Sequence, residues 1–325
     1  MTRLRTLAQS AGFGRIAYQT WHRPFGWLRD CLREGGPWVQ RRTERGRAEM
    51  AAAATALPAL PPLAEPPLPV HFLTGRRFWY QTAFCLWTLA RQTGRPVAAV
   101  IHDDGSLDDP TRERIAARFP LLRFADPAEA AARRDELLPA ARFPALRERL
   151  EHYPHLRKVV DPHLGQSGWK LVADSDLLFF RRPDELVGWL DRPDRPLHAV
   201  DCKTSYGYSP AVMDRLAGAP VANLVNVGLA GLNGAELDWD RIEGWCRGLI
   251  MAEGKSYYLE QALVAMLVAG RACTVLPAGR YVTMPRPPEA NECRAVMHHY
   301  VAASKRWYFQ ANWRRALAAG GGTAP

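Results

Sequence analysis

Lysine is scarce in this 325-residue chain: it occurs only at positions 158, 170, 203, 255 and 305, so arginine supplies nearly all of the 43 basic residues. Closely paired cysteines are lacking too. The six cysteines, at 31, 85, 202, 246, 273 and 293, never form a CxxC spacing, which argues against a zinc ribbon or a disulfide framework and reads as reduced thiols. No run of 18 apolar residues is free of charge. Even the richest, Tyr257 to Leu276, is broken by Glu260 and Arg271, so no transmembrane helix is expected. The start, MTRLRTLAQSAGFGR, has no uninterrupted apolar core before a small-residue cleavage site and does not read as a secretory signal. A cytoplasmic location is the resulting expectation.

What is present fits a globular protein: 47% of residues are hydrophobic and 23% charged, enough for a sizeable core. The net charge of +10 is uneven. Residues 1–50 hold ten arginines against Asp30, Glu34, Glu44 and Glu49, interleaved with Tyr18, Trp21, Phe25, Trp27 and Trp38. That mixture suits an arm resting on an anionic membrane surface, at the inner face. The alternative is a helical arm packed on its own domain or on a partner chain. Nucleic acid is not an expected partner, because little of the charge lies in the rest of the chain. Residues 1–56 thus read as a basic, helical arm. Residues 57–69, LPALPPLAEPPLP, read as a semi-rigid connector, since proline fixes φ and lacks the amide donor.

The main domain is expected over 70–310, with a tail at 311–325. VHFLTG (70–75), VAAVIH (97–102) and LLRFAD (121–126) alternate with helical text, which predicts an α/β domain with a largely parallel sheet. WKLVADSDLLFF (169–180) reads as one apolar strand interrupted by two carboxylates; LHAVDC (197–202) and NLVNVGLAGL (223–232) follow, then helices around 239–251 and 257–270.

Asp174 and Asp176 are the sharpest chemical feature. Side chains two apart share one face of a strand, but at a strand end the backbone turns, and there both carboxylates can converge on a single divalent ion. Among apolar neighbours the pair would repel and be costly to desolvate without a cation or an arginine cluster. A second Asp-x-Asp, Asp238 and Asp240, stands before a helix and reads as an N-cap and first-turn pair.

An Asp-x-Asp closing an apolar strand resembles the metal site of GT-A glycosyltransferases, and more narrowly of family 8, the glycogenin-like and lipopolysaccharide galactosyl- and glucosyltransferase group. VADSDLLFF is similar to the family's LDxD strand. His299, Lys305 and Trp307 keep the offsets of the family's His-x-x-Gly-x-x-Lys-Pro-Trp, with Ala302 for the glycine and Arg306 for the proline. Asn226-Val227-Gly228 resembles an interior Asn-x-Gly, and Glu260-Gln261-Ala262 an Asp-Gln-Asp that opens a helix.

The resemblance implies a GT-A fold, α/β with a mostly parallel central sheet flanked by helices, and retaining transfer from a nucleotide-diphosphate sugar to a saccharide or glycolipid hydroxyl. It implies Mn²⁺ or Mg²⁺ on Asp174, Asp176 and His299, with His298 the alternative ligand, and Lys305 on the donor diphosphate. Asn226, Glu260 and Gln261 would serve the donor sugar and the reacting carbon. Gly228 would lie beside the donor, Thr74 and Gly75 where the nucleotide binds, and Arg157 or Lys158 where a basic residue touches the donor. For Asn226 a satisfied structural amide is the alternative, and for Glu260-Gln261 a helix-capping pair. The loop 161–168 reads as an insertion. The competing readings are a haloacid-dehalogenase-like phosphatase built on Asp174 and Asp176, and a non-catalytic nucleotide-sugar or surface-binding module.

Overall fold

A computed structural model describes residues 35–60 and 65–318. Its centre is a seven-stranded sheet formed by β1 (Leu68–Thr74), β2 (Val97–Asp103), β3 (Arg123–Phe124), β4 (Trp169–Ala173), β6 (Leu197–Val200), β7 (Val225–Asn233) and β8 (Thr274–Val275), in the order β3-β2-β1-β4-β7-β6-β8. Only β7 runs against the others; β4 and β6 flank it antiparallel, and the remaining pairs are parallel. A small second sheet joins β5 (Leu177–Phe179), β9 (Tyr281–Thr283) and β10 (Met297–His299), with β10 in the middle.

Helices cover both faces of the central sheet and create two cores, which is why β7 is apolar and buried along nearly its whole length. The helix Trp79–Thr93 is almost entirely buried and carries Phe84 and Trp87 into the first core with Phe72 and Phe179. The second core gathers Leu150, Trp245 and Leu263. The described cysteines are all free, and no helix among the described residues is long and apolar enough to cross a membrane.

Several sequence expectations are corrected. The segment 169–180 is two strands in two sheets, because the chain turns at 174–176 and β5 pairs with β10 instead of continuing beside β7. Leu68 and Pro69, read as connector, already belong to β1. Asp161–His163, read as an inserted loop, close the helix Arg157–His163, where Arg134 pairs with Asp161 at 2.5 Å. The domain limits at 70 and 310 also leave out residues that the core includes. Met50, Ala54 and Leu57 on one side and Trp313 and Ala316 on the other are buried with Phe84 and Tyr308.

The arm's expected helix spans Pro37–Ala54 and lies against the π-helical turn Tyr308–Asn312, with Gly46 over the Phe309 carbonyl and Arg47 over its ring. Of the arm's aromatics, Trp38 is 76% exposed. Tyr18, Trp21, Phe25 and Trp27 fall outside the described residues.

Candidate metal centre and donor site

The strand β4 ends at Ala173, and the Asp174 N–H still donates to the Gly228 carbonyl on β7 at 2.9 Å. The chain then turns through Ser175, so Asp174 and Asp176 come from the turn that links the two sheets. Ser175 is anchored from beneath: its hydroxyl bonds that of Thr82 at 2.8 Å, and Thr82 donates to Thr74 at 2.8 Å. Thr74 is therefore spent inside the core, a floor for the turn instead of an open nucleotide contact.

His299 closes the site from the end of β10. Its Nε2 lies 3.5 Å from Asp174 Oδ2 and 3.3 Å from Asp176 Oδ1, and the three residues each offer one ligand atom within 4.8 Å of the others. Nδ1 faces Asn226 Oδ1 at 3.1 Å. That oxygen also accepts from the Gly228 N–H at 2.9 Å, while Asn226 Nδ2 donates to Asp201 at 3.1 Å, so the amide orientation is fixed and Nδ1 carries the proton. Nε2 is buried and makes no well-formed hydrogen bond; it faces only the two carboxylates. Such an arrangement is the one a metal-binding imidazole takes, oriented by a group behind it.

His298, on the opposite face of β10, bonds Glu289 at 2.7 Å and Tyr300 at 2.9 Å and points away from the aspartates. Gly228 is needed for packing: a Cβ there would lie 2.5 Å from His299 Nδ1.

Charge organises the rest. Lys158 is buried and reaches Asp174 Oδ1 at 2.6 Å and Glu260 Oε1 at 3.2 Å; Lys305, 39% exposed, stands 3.4 Å from Asp176. Burial pushes Asp174 toward its neutral form, but Lys158 and then His299 hold it well below the usual carboxylate range. Asp176 is held down likewise by His299 and Lys305. Burial drives Glu260 the other way, up to about 7, against the pull of Lys158. Burial would lower the His299 pKa, yet the two aspartates raise it to about 9. A point that draws a proton onto a buried imidazole favours a cation, and this donor set, two carboxylates and one imidazole, could hold a divalent metal ion.

The structure places other expected residues differently. Asn226 finds its partners within the protein and does not wait for a sugar hydroxyl. Gln261 spends its amide N–H groups on Asp201 at 2.8 Å and the Val225 carbonyl at 2.9 Å. Glu260 is committed to Lys158 and makes no capping bond at its helix N-terminus. Arg157 donates to the Asp103 carbonyl at 3.3 Å. Gly75 lies directly under the Asp104 carboxylate, which a Cβ would displace.

Two residues escaped the sequence reading. Asp201, beyond β6, gathers Asn226 and Gln261 on one carboxylate oxygen; its signal was an apolar strand ending in aspartate, as in β4. Asp104, just beyond β2, brings a carboxylate beside Gly75, and its N–H donates to the Thr74 carbonyl at 3.0 Å. The second Asp-x-Asp behaves as expected: Asp238 caps the helix Trp239–Glu253 through the Arg241 N–H at 3.0 Å, and Asp240 pairs with Arg142.

No protein-family model matches the chain, and no curated protein sequence matches it. Among solved structures the fold is similar to that of the galactosyltransferase LgtC, determined with donor and acceptor sugar analogues, at a TM-score of 0.50 and 13% identity over 79% of this chain and 97% of LgtC. Mouse xyloside xylosyltransferase 1 in its apo form aligns at 0.47 and 14% identity, over 72% of this chain and 96% of that one. The WbbM bifunctional glycosyltransferase aligns at 0.48 and 14%, over 81% of this chain and 53% of that one. The likeness to LgtC shows the fold, the GT-A fold of glycosyltransferases.

Proposed function

We propose that this chain is a metal-dependent glycosyltransferase of the family 8 kind, moving a sugar from a nucleotide-diphosphate donor to a saccharide or glycolipid hydroxyl with retention of configuration. The observation that carries the reading is the convergence of Asp174, Asp176 and a buried His299 Nε2, which faces both carboxylates, at the joint of the two sheets. Bound there, Mn²⁺ or Mg²⁺ supplies Lewis-acid stabilisation of the leaving diphosphate. Lys305 is the cation with room to move, and its ammonium donates to a diphosphate oxygen. Lys158 keeps Asp174 ionised, and Asn226 holds the His299 ring with Nε2 forward. Gln261, its amide N–H groups taken by Asp201 and the Val225 carbonyl, has only its amide oxygen to offer the donor sugar. Glu260 is tied to Lys158 and offers no free nucleophile, which favours a front-face route to retention.

The phosphatase reading has no support in a GT-A fold. The test is a donor panel: UDP-, GDP- and ADP-sugars with Mn²⁺, scoring nucleotide diphosphate release and the anomeric configuration of the product. Release from one donor class with a retained anomer is expected. Donor binding without release, in the presence of acceptor saccharides, would favour the non-catalytic module.

A further inference from the structure

At the opposite end of the three-stranded sheet from the aspartates lies an open cavity of about 620 Å³. The register fixes the separation: His299 pairs with Leu177 and Thr283 at the catalytic end, and Met297 with Phe179 and Tyr281 at the other. The two ends of this sheet are therefore two residue steps, about 7 Å, apart along β10. Arg181, Arg182, Arg280 and Arg294 line this cavity with Asp184 and Glu289.

The carboxylates are already engaged. Asp184 holds Arg182 at 3.0 Å, and Glu289 faces inward to His298 at 2.7 Å and the Ala295 N–H at 2.8 Å. Arg280 is aimed by Glu185 at 2.7 Å. The only carboxylate partner of Arg294 among the described residues is Glu292 at 2.8 Å, an exposed pair that exchanges readily. Arg181 has no carboxylate partner among the described residues. One of its terminal nitrogens is fixed by the Cys293 and Ala295 carbonyls at 2.7 and 3.1 Å, which leaves the rest of the guanidinium fork available.

We propose that this cavity is a binding site for a phosphate-bearing ligand, separate from the catalytic centre. Guanidinium forks match phosphate oxygens in pairs, and fixed ones lose little freedom on binding. The cavity is open to solvent and its four arginines are exposed, with room beside the phosphate for an organic body, that of a sugar phosphate or a phospholipid headgroup. The inference stands whether or not the chain transfers sugars.

The test titrates glucose 6-phosphate and inorganic phosphate into the full chain by calorimetry, at low salt and without divalent metal. A flotation arm uses phosphatidylglycerol and phosphatidylcholine vesicles. Sugar-phosphate binding is expected, at least tenfold weaker in Arg181→Gln/Arg294→Gln and unchanged in Lys305→Ala. Should Arg181→Gln lose its thermal transition, Arg294→Glu, on an exposed side chain, carries the test. Capture by phosphatidylglycerol vesicles alone, lost in the same variants, assigns the phosphate to a lipid. Absence of binding in both arms, or equal binding by the variants, overturns the proposal.

Discussion

Ala302 stands where the resembling motif has glycine, and its φ is 45°, in the left-handed region that a Cβ disfavours. The loop between His299 and Lys305 thus keeps a glycine-like backbone at a cost of about 1 kcal/mol. Ala302→Gly is expected to raise stability by roughly that amount, read as a higher midpoint in urea, with metal binding unchanged. Gly228 is the converse case, a glycine whose missing Cβ admits the His299 ring. Gly228→Ala is expected to weaken Mn²⁺ binding about 10- to 100-fold in a titration while the chain stays folded, since it displaces the imidazole and its orienting amide.

The residues legible in the sequence were those whose chemistry is local. Asp174 and Asp176 announce themselves by interrupting an apolar run, and His299 is separated from His298 by its spacing to Lys305. Asp201 and the Thr74–Thr82–Ser175 chain were not legible, because each becomes meaningful only when distant segments are brought together.

At the scale of elements, strand and helix order could be read from the apolar runs, and the parallel character of the sheet followed from their alternation. The split of 169–180 could not, because period-2 text is the same whether the chain continues in one sheet or crosses to another. The helix Pro37–Ala54 was legible as a helix but not as part of the core, since arginine dominates its exposed face and only Gly46, Met50 and Ala54 are buried. Its docking is testable at Gly46. Alanine there would favour an isolated helix by about 1 kcal/mol, yet its Cβ would collide with the Phe309 carbonyl. Gly46→Ala is therefore expected to lower thermal stability, with a net cost of about 1–3 kcal/mol for the forced shift. A raised melting temperature would mean that the helix does not pack there.

For the whole molecule, pH dependence follows from histidines buried in neutral form. Burial lowers His71 to about 3 and His102 and His163 to about 4; His71 and His102 touch at 3.0 Å across β1 and β2. Their unfolded pKa is about 6.5. Below that pH the unfolded chain binds more protons, so their stabilisation is complete above 6.5 and is lost as pH falls toward 4. Glu260, raised to about 7, works against them by one proton over the upper part of this range. These four groups together are expected to make the metal-free chain lose about 3 kcal/mol per pH unit near pH 5.5, the slope for two net protons, and His155, His198 and His298, also lowered by burial, act in the same direction. Urea midpoints from pH 7 to 4.5 measure it, and His163→Gln should flatten the curve. The carboxylates of Asp174 and Asp176, held low, contribute their own loss only below about pH 4.

The account as a whole rests on one claim, that the joint between the two sheets holds a divalent ion in service of glycosyl transfer. Nucleotide diphosphate release from the preferred donor, followed with Mn²⁺ and with EDTA in the wild type, Asp176→Asn and Asp240→Asn, tests it most directly. The account predicts that EDTA abolishes release, that Asp176→Asn lowers it by orders of magnitude, and that Asp240→Asn leaves it intact. Full release in EDTA, or wild-type rates in Asp176→Asn, would contradict the claim.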